Sequence, residues 1–137
     1  MWTHEASIET SATPRRIWAL FADVPNWPRW NAGIGRITLH GEFAPGARFD
    51  MQLPGDGPCL SSVLAEVEPG SHFTDETVVD GACVRVRHQI VAVRPGCTRI
   101  VYHTTVTGPG AAPWGLVVTE DFAAVLAALK ACAEGAQ

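Results

Sequence analysis

From Ile37 to Val106 the chain reads as strand after strand, each cut off by a turn, and a single long helical pattern follows. Phe49, Met51 and Leu53 alternate with polar residues, Val63, Ala65 and Val67 mark the next strand, and Phe73 to Val78 reads as a further one. Val84, Val86, His88, Ile90 and Ala92 alternate with Arg85, Arg87 and Gln89, and Ile100, Tyr102, Thr104 and Val106 repeat the pattern. Period-two alternation marks a strand with one buried face. Pro54-Gly55-Asp56-Gly57-Pro58, Glu68-Pro69-Gly70, Asp80-Gly81 and Arg94-Pro95-Gly96 supply turns. Linked hairpins demand an antiparallel sheet, because parallel neighbours need a long crossover. Over residues 113–133, Trp114, Val118, Phe122, Val125 and Leu129 recur at helical spacing. That stripe has one place to be buried, the face of the sheet. The expected class is α+β, a helix-grip in which a curved antiparallel sheet of about six to seven strands wraps a long C-terminal helix.

The N-terminal quarter adds detail. Residues 3–11 alternate loosely and read as a first strand. Thr13 is placed to cap a helix that begins at Pro14, and Ile17, Trp18, Leu20 and Phe21 supply its buried face. Next comes Asp23-Val24-Pro25-Asn26-Trp27-Pro28-Arg29-Trp30-Asn31. Two prolines stiffen this segment, so it is read as a rigid bend or second short helix that carries two indoles. Such a bend either plugs a core or walls a pocket.

Composition narrows the function classes. A chain of 137 residues suggests one domain over 1–137. The net charge is −4 and Lys130 is the only lysine, so binding to nucleic acid through phosphate contacts is not expected. No apolar run is long enough to span a membrane, and residues 1–5 show no signal-peptide pattern. Cys59, Cys83, Cys97 and Cys132 are scattered without metal-ligand spacing. A cytoplasmic protein with reduced thiols, no metal and no cofactor is the expectation.

The order of elements and several motifs resemble the START/Bet v 1-like (SRPBCC) superfamily, in its polyketide cyclase/dehydrase-like branch. The resemblance is carried by Ile8 to Trp18, by Asp23 to Asn31, by Gly41-Glu42-Phe43-Ala44-Pro45-Gly46-Ala47-Arg48-Phe49, by Val67-Glu68-Pro69, and by Thr98 to His103 leading into Gly108-Pro109. It covers nearly the whole chain and implies a cavity between sheet and helix. It does not specify a reaction, since the superfamily includes cyclases, lipid carriers, hormone receptors and co-chaperone domains.

The strand phases nominate a site. A two-residue turn at Asp80-Gly81 pairs Val79 with Ala82, which sets Phe73 opposite His88 and puts Asp75 diagonal to His88 on the same face. A three-residue turn in the next hairpin sets Tyr102 opposite His88. Asp75, His88 and Tyr102 then form a polar cluster facing the helix, with the histidine as acid/base and the tyrosine as electrophilic donor. The same cluster also reads as a satisfied polar group in a core. Trp27, Trp30, Phe49, Met51, Phe73, Trp114, Val118 and Phe122 are the candidate apolar walls. Asp121 borders the helical stripe and reads either as a surface carboxylate or as a group turned to the cavity. His4, His40, His72 and His103 show no partner in the sequence.

Three functions compete. The first is binding of a small hydrophobic or aromatic, lipid- or polyketide-like ligand. The second is a polyketide cyclase or dehydratase that uses the same cavity. The third is an interaction module of co-chaperone or toxin type, which needs a large exposed patch. Homodimerisation is left open by the sequence.

Overall fold

All strands after the first pair with their neighbours along the chain, and the first closes on the last. The computed structural model describes residues 1–136. Its strands are β1 (Trp2–Thr10), β2 (Arg36–His40), β3 (Arg48–Gln52), β4 (Cys59–Glu68), β5 (His72–Val79), β6 (Ala82–Arg94) and β7 (Cys97–Thr107). They form one antiparallel sheet in the order β1-β7-β6-β5-β4-β3-β2. Between β1 and β2 lie α1 (Pro14–Ala22) and a 3-10 helix (Val24–Arg29). After β7 come α2 (Ala111–Thr119), α3 (Phe122–Ala131) and a π-helical turn (Cys132–Ala136). This is the expected helix-grip.

Local chemistry sets the helix starts and the bend. The Thr13 hydroxyl accepts a hydrogen bond from the Arg16 amide at 3.2 Å, and Pro14 opens α1, where its missing N–H costs nothing. Pro25 and Pro28 prevent a regular α-helix over the next six residues, so the chain takes the tighter 3-10 form. That segment buries Val24 and Trp27, and the Trp27 indole N–H donates to the Phe21 carbonyl at 2.9 Å. The bend is thereby latched to α1.

The C-terminal helix is not continuous. Residues 113–133 were expected to form one helix, but it breaks at Glu120-Asp121, where Asp121 leaves the helical region at φ −104° and ψ 4°. Just before the break, the Thr119 hydroxyl donates to the Gly115 carbonyl at 2.8 Å. Back-bonding of this kind bends helices. The two halves still share the expected stripe: Val125, Leu126 and Leu129 are buried, and Trp114, Val118 and Phe122 pack against the core.

Two hairpins determine which side chains meet. Asp80 (φ 49°) and Gly81 (φ 81°) form the left-handed two-residue turn, and Val79 pairs with Ala82 as expected. The β6–β7 connection reaches the expected register by another route. Arg94 pairs with Cys97 across a two-residue turn, and a bulge between Ala92 and Arg94 absorbs the extra residue. His88 therefore lies opposite Tyr102.

Candidate functional site

Between the inner sheet face and the helices lies a cavity of about 480 Å³. The 3-10 segment and the loop after it give one wall, with Trp27, Trp30, Asn31 and Ile34. Trp114, Val117, Val118 and Phe122 come from the broken helix. The sheet floor alternates: Phe73, Asp75, Thr77 and Val79 from β5, Val84, Val86 and His88 from β6, and Tyr102 from β7. Met51, Leu53, Pro58 and Leu60 close the side next to the Pro54–Pro58 turn.

Seven of the eight nominated apolar residues line this space. Phe49 does not. It is fully buried and packs edge-on to Trp27, with ring centroids 5.6 Å apart, so it belongs to the core beside the cavity. Several lining residues were not nominated. Thr77 and Val79 share the strand phase of Asp75, and Val84 and Val86 share that of His88, so alternation alone could have found them. Leu53 shares the phase of Met51, whereas Asn31, Ile34 and Pro58 sit on loops whose course no local pattern reveals.

Asp75, His88 and Tyr102 share the inner face as the register requires, but no hydrogen bond joins Asp75 to His88. His88 instead lies flat on Phe73, with ring centroids 4.0 Å apart and planes 6° from parallel. Its Nδ1 is directed at the Phe73 carbonyl, 3.4 Å away. A carbonyl only accepts, so Nδ1 carries the proton and Nε2 the lone pair. Tyr102 meets the His88 ring edge-on at 4.5 Å and Phe122 at 5.3 Å. Its hydroxyl is buried and has no partner among the described residues.

These surroundings reshape the acid–base chemistry. Burial pushes the His88 pKa down to about 3, so the ring stays neutral at physiological pH. Burial pushes Asp75 up to about 7, with repulsion from Glu76 acting in the same direction. Asp75 is half-buried and lines the cavity. Tyr102 is shifted up, by burial first and then by the charges of Asp75 and Asp121. The group that titrates near neutrality is therefore the aspartate, not the histidine.

The remaining candidates fall elsewhere. Asp121 is exposed at the helix break beside Gly33, and partial burial raises its pKa. His40 meets Asp50 at 2.8 Å, His72 lies 3.8 Å from Glu66, and His103 lies 3.6 Å from Glu5. His4 stacks on Trp2 and meets the edge of Phe122. The four cysteines are free. Among the described residues no group of His, Cys, Asp or Glu is placed to hold a metal ion, and no helix is long and apolar enough to cross a membrane.

A curved antiparallel sheet closed over a broken C-terminal helix, with a cavity between them, defines the START/Bet v 1-like class. The chain belongs to the family described as polyketide cyclase / dehydrase and lipid transport, which it matches over residues 1–134. Among solved structures, truncated norcoclaurine synthase from Thalictrum flavum superposes with a TM-score of 0.78 at 16% identity, covering 99% of this chain and 95% of that one. A START superfamily protein from Mycobacterium smegmatis gives 0.75 at 16% identity, over 96% and 97% of the two chains. The di-domain ARO/CYC StfQ from the steffimycin biosynthetic pathway gives 0.77 at 18% identity, over 96% of this chain and 50% of that one. At these identities the likeness is one of fold. Among curated proteins, none matches the sequence significantly.

Proposed function

We propose that this protein holds a small hydrophobic or aromatic ligand, lipid- or polyketide-like, in the cavity between sheet and helices. The observation that carries this reading is the pairing of apolar, largely aromatic walls with a buried Tyr102 hydroxyl that has no protein partner. A buried hydroxyl left unpaired costs about 1–3 kcal/mol, which a ligand's polar atom recovers. Apolar walls with a few convergent polar groups are what a small-molecule site requires. Native mass spectrometry of the purified protein, run beside a denatured sample, tests the reading. A bound small molecule released on denaturation supports it. A ligand-free mass, together with no saturable binding of naphthalene-type probes, overturns it.

Asp75 favours a second reading, an enzyme of cyclase or dehydratase type. A carboxyl that titrates near pH 7 inside an apolar cavity is poised for proton transfer, and Tyr102 is suited to polarise a carbonyl. In this reading Asp75 takes the acid/base role, because a histidine with a pKa near 3 is too weak a base at neutral pH. His88 serves as a rigid neutral wall, with Nε2 as an acceptor. Asp75→Asn then abolishes turnover while the fold survives, and His88→Asn has the smaller effect on rate. Undiminished turnover in Asp75→Asn excludes this role.

A further inference from the structure

The charge balance of the cavity is one-sided. Neither lysine nor arginine lines it, His88 is neutral, and Tyr102 keeps its proton. Asp75 is the lining group able to carry a full charge at neutral pH. The groups around it offer no counter-ion. Leu64 is its partner on β4 and Val86 its partner on β6. Glu76 follows it on β5, His88 and Tyr102 lie across the floor, and the exposed Asp121 at the helix break adds a further negative charge that acts on Tyr102. No side chain among the described residues donates a hydrogen bond to its carboxyl, and its own backbone amide is the one group that favours the charged form.

A buried carboxylate without a cation is expensive, and it becomes favourable once a cation is supplied. The remaining walls suit that cation. Trp30, Trp114 and Phe122 contribute aromatic rings to the lining, and aromatic faces attract ammonium groups. The buried and unpartnered Tyr102 hydroxyl is an independent sign that a polar group belongs at this end of the cavity.

We propose that the cavity selects its ligand by charge, taking an aromatic molecule that carries one protonated amine, with Asp75 as the counter-ion. The proposal rests on the reading that the cavity holds a ligand, and it narrows the class. Molecules ending in a carboxylate are excluded, because they meet Asp75 with no positive group to offset it.

Calorimetric titration of the full chain with three naphthyl probes tests this: 2-naphthylmethylamine, its isostere 2-naphthylmethanol, and 2-naphthylacetate. At about pH 8.5 the amine binds at least tenfold more tightly than the alcohol, corresponding to about 1.4 kcal/mol, and the carboxylate binds most weakly. Below about pH 7 the amine weakens by up to about tenfold per pH unit, because a proton competes for Asp75, whereas the alcohol does not weaken. Asp75→Asn removes both the preference and the pH dependence. If that variant fails to fold, the pH series on the unaltered chain decides. Equal or tighter binding of the alcohol or carboxylate overturns the charge selection and leaves the cavity reading standing. Failure of all three probes to bind overturns both.

Discussion

His88 and Asp75 face the same cavity from neighbouring strands yet are shifted in opposite senses, His88 down to about 3 and Asp75 up to about 7. Burial disfavours the charged form of each, so between about pH 3 and about pH 7 both are neutral where an exposed pair would be ionic. In the unfolded chain the two groups take their ordinary values of 6.5 and 3.8. Below pH 6.5 the unfolded chain protonates His88 and the folded one does not, so stability falls as pH drops towards 3. Above pH 3.8 the unfolded chain ionises Asp75 while the folded one holds its proton up to about 7, so stability falls as pH rises.

Across the window the two effects share, their slopes are each about 1.4 kcal/mol per pH unit and opposite in sign. Asp75→Asn therefore gains stability over the unaltered chain as pH rises from 4 to 6.5, and His88→Phe loses it over the same range. Urea unfolding midpoints at half-unit pH steps measure both differences. Two differences of the same sign refute the assignment.

Tyr102→Phe separates binding from stability. Deleting a buried hydroxyl that has no protein partner leaves stability unchanged or raises it by about 1 kcal/mol. The same change weakens a bound ligand's polar contact by about fivefold to tenfold. Thermal melts and probe titration of one preparation give both numbers. A clear loss of stability shows that the hydroxyl has a structural partner.

Gly115 lets α2 lie on Trp2. A Cβ at this position would stand 2.1 Å from the indole ring, inside any tolerable contact. Alanine normally stabilises a helix interior relative to glycine by about 1 kcal/mol. Here Gly115→Ala is expected to cost about 1–3 kcal/mol, because the helix must lift from β1. Adding Trp2→Ala to that variant relieves the clash, so the double-mutant cycle shows a favourable coupling. An additive cycle contradicts the contact.

Glu134 ties the chain's last helical turn to the β1–α1 corner. Its carboxylate accepts from the Thr10 hydroxyl at 2.6 Å, the Lys130 ammonium at 2.9 Å and the Ser11 amide at 3.2 Å, and these bonds lower its pKa to about 2. The tie is complete above the unfolded value of 4.5 and is lost as pH falls through about 2. Glu134→Gln reproduces the loss at neutral pH, with faster hydrogen exchange at Ser11 and little change at Phe73. Unchanged exchange at Ser11 would show that the tie carries no stability.

Strand phase, turn chemistry and helix start were all readable along the chain, because each depends on neighbours in sequence. The Asp80-Gly81 turn determines which residues of β5 and β6 face each other, and Thr13-Pro14 marks where α1 begins. Alternation was enough to put Asp75, His88 and Tyr102 on one face. Three outcomes needed the third dimension. Phe49 has the same phase as Met51, yet it is walled off beside Trp27 because the 3-10 segment folds over it. The terminal helix breaks at Glu120-Asp121 although its apolar stripe runs on, since curvature over the sheet is a packing demand and not a propensity. The ionisation states of Asp75 and His88 were hidden as well. A diagonal Asp–His pair reads as an acid/base histidine held by a carboxylate, and only burial, with His88 stacked on Phe73 and no cation near Asp75, keeps the histidine neutral and moves the titration near neutral pH to the aspartate. Local order follows from short-range sterics and patterning, whereas burial and electrostatics are sums over residues distant in the chain, which exist only once the sheet has closed around its helices.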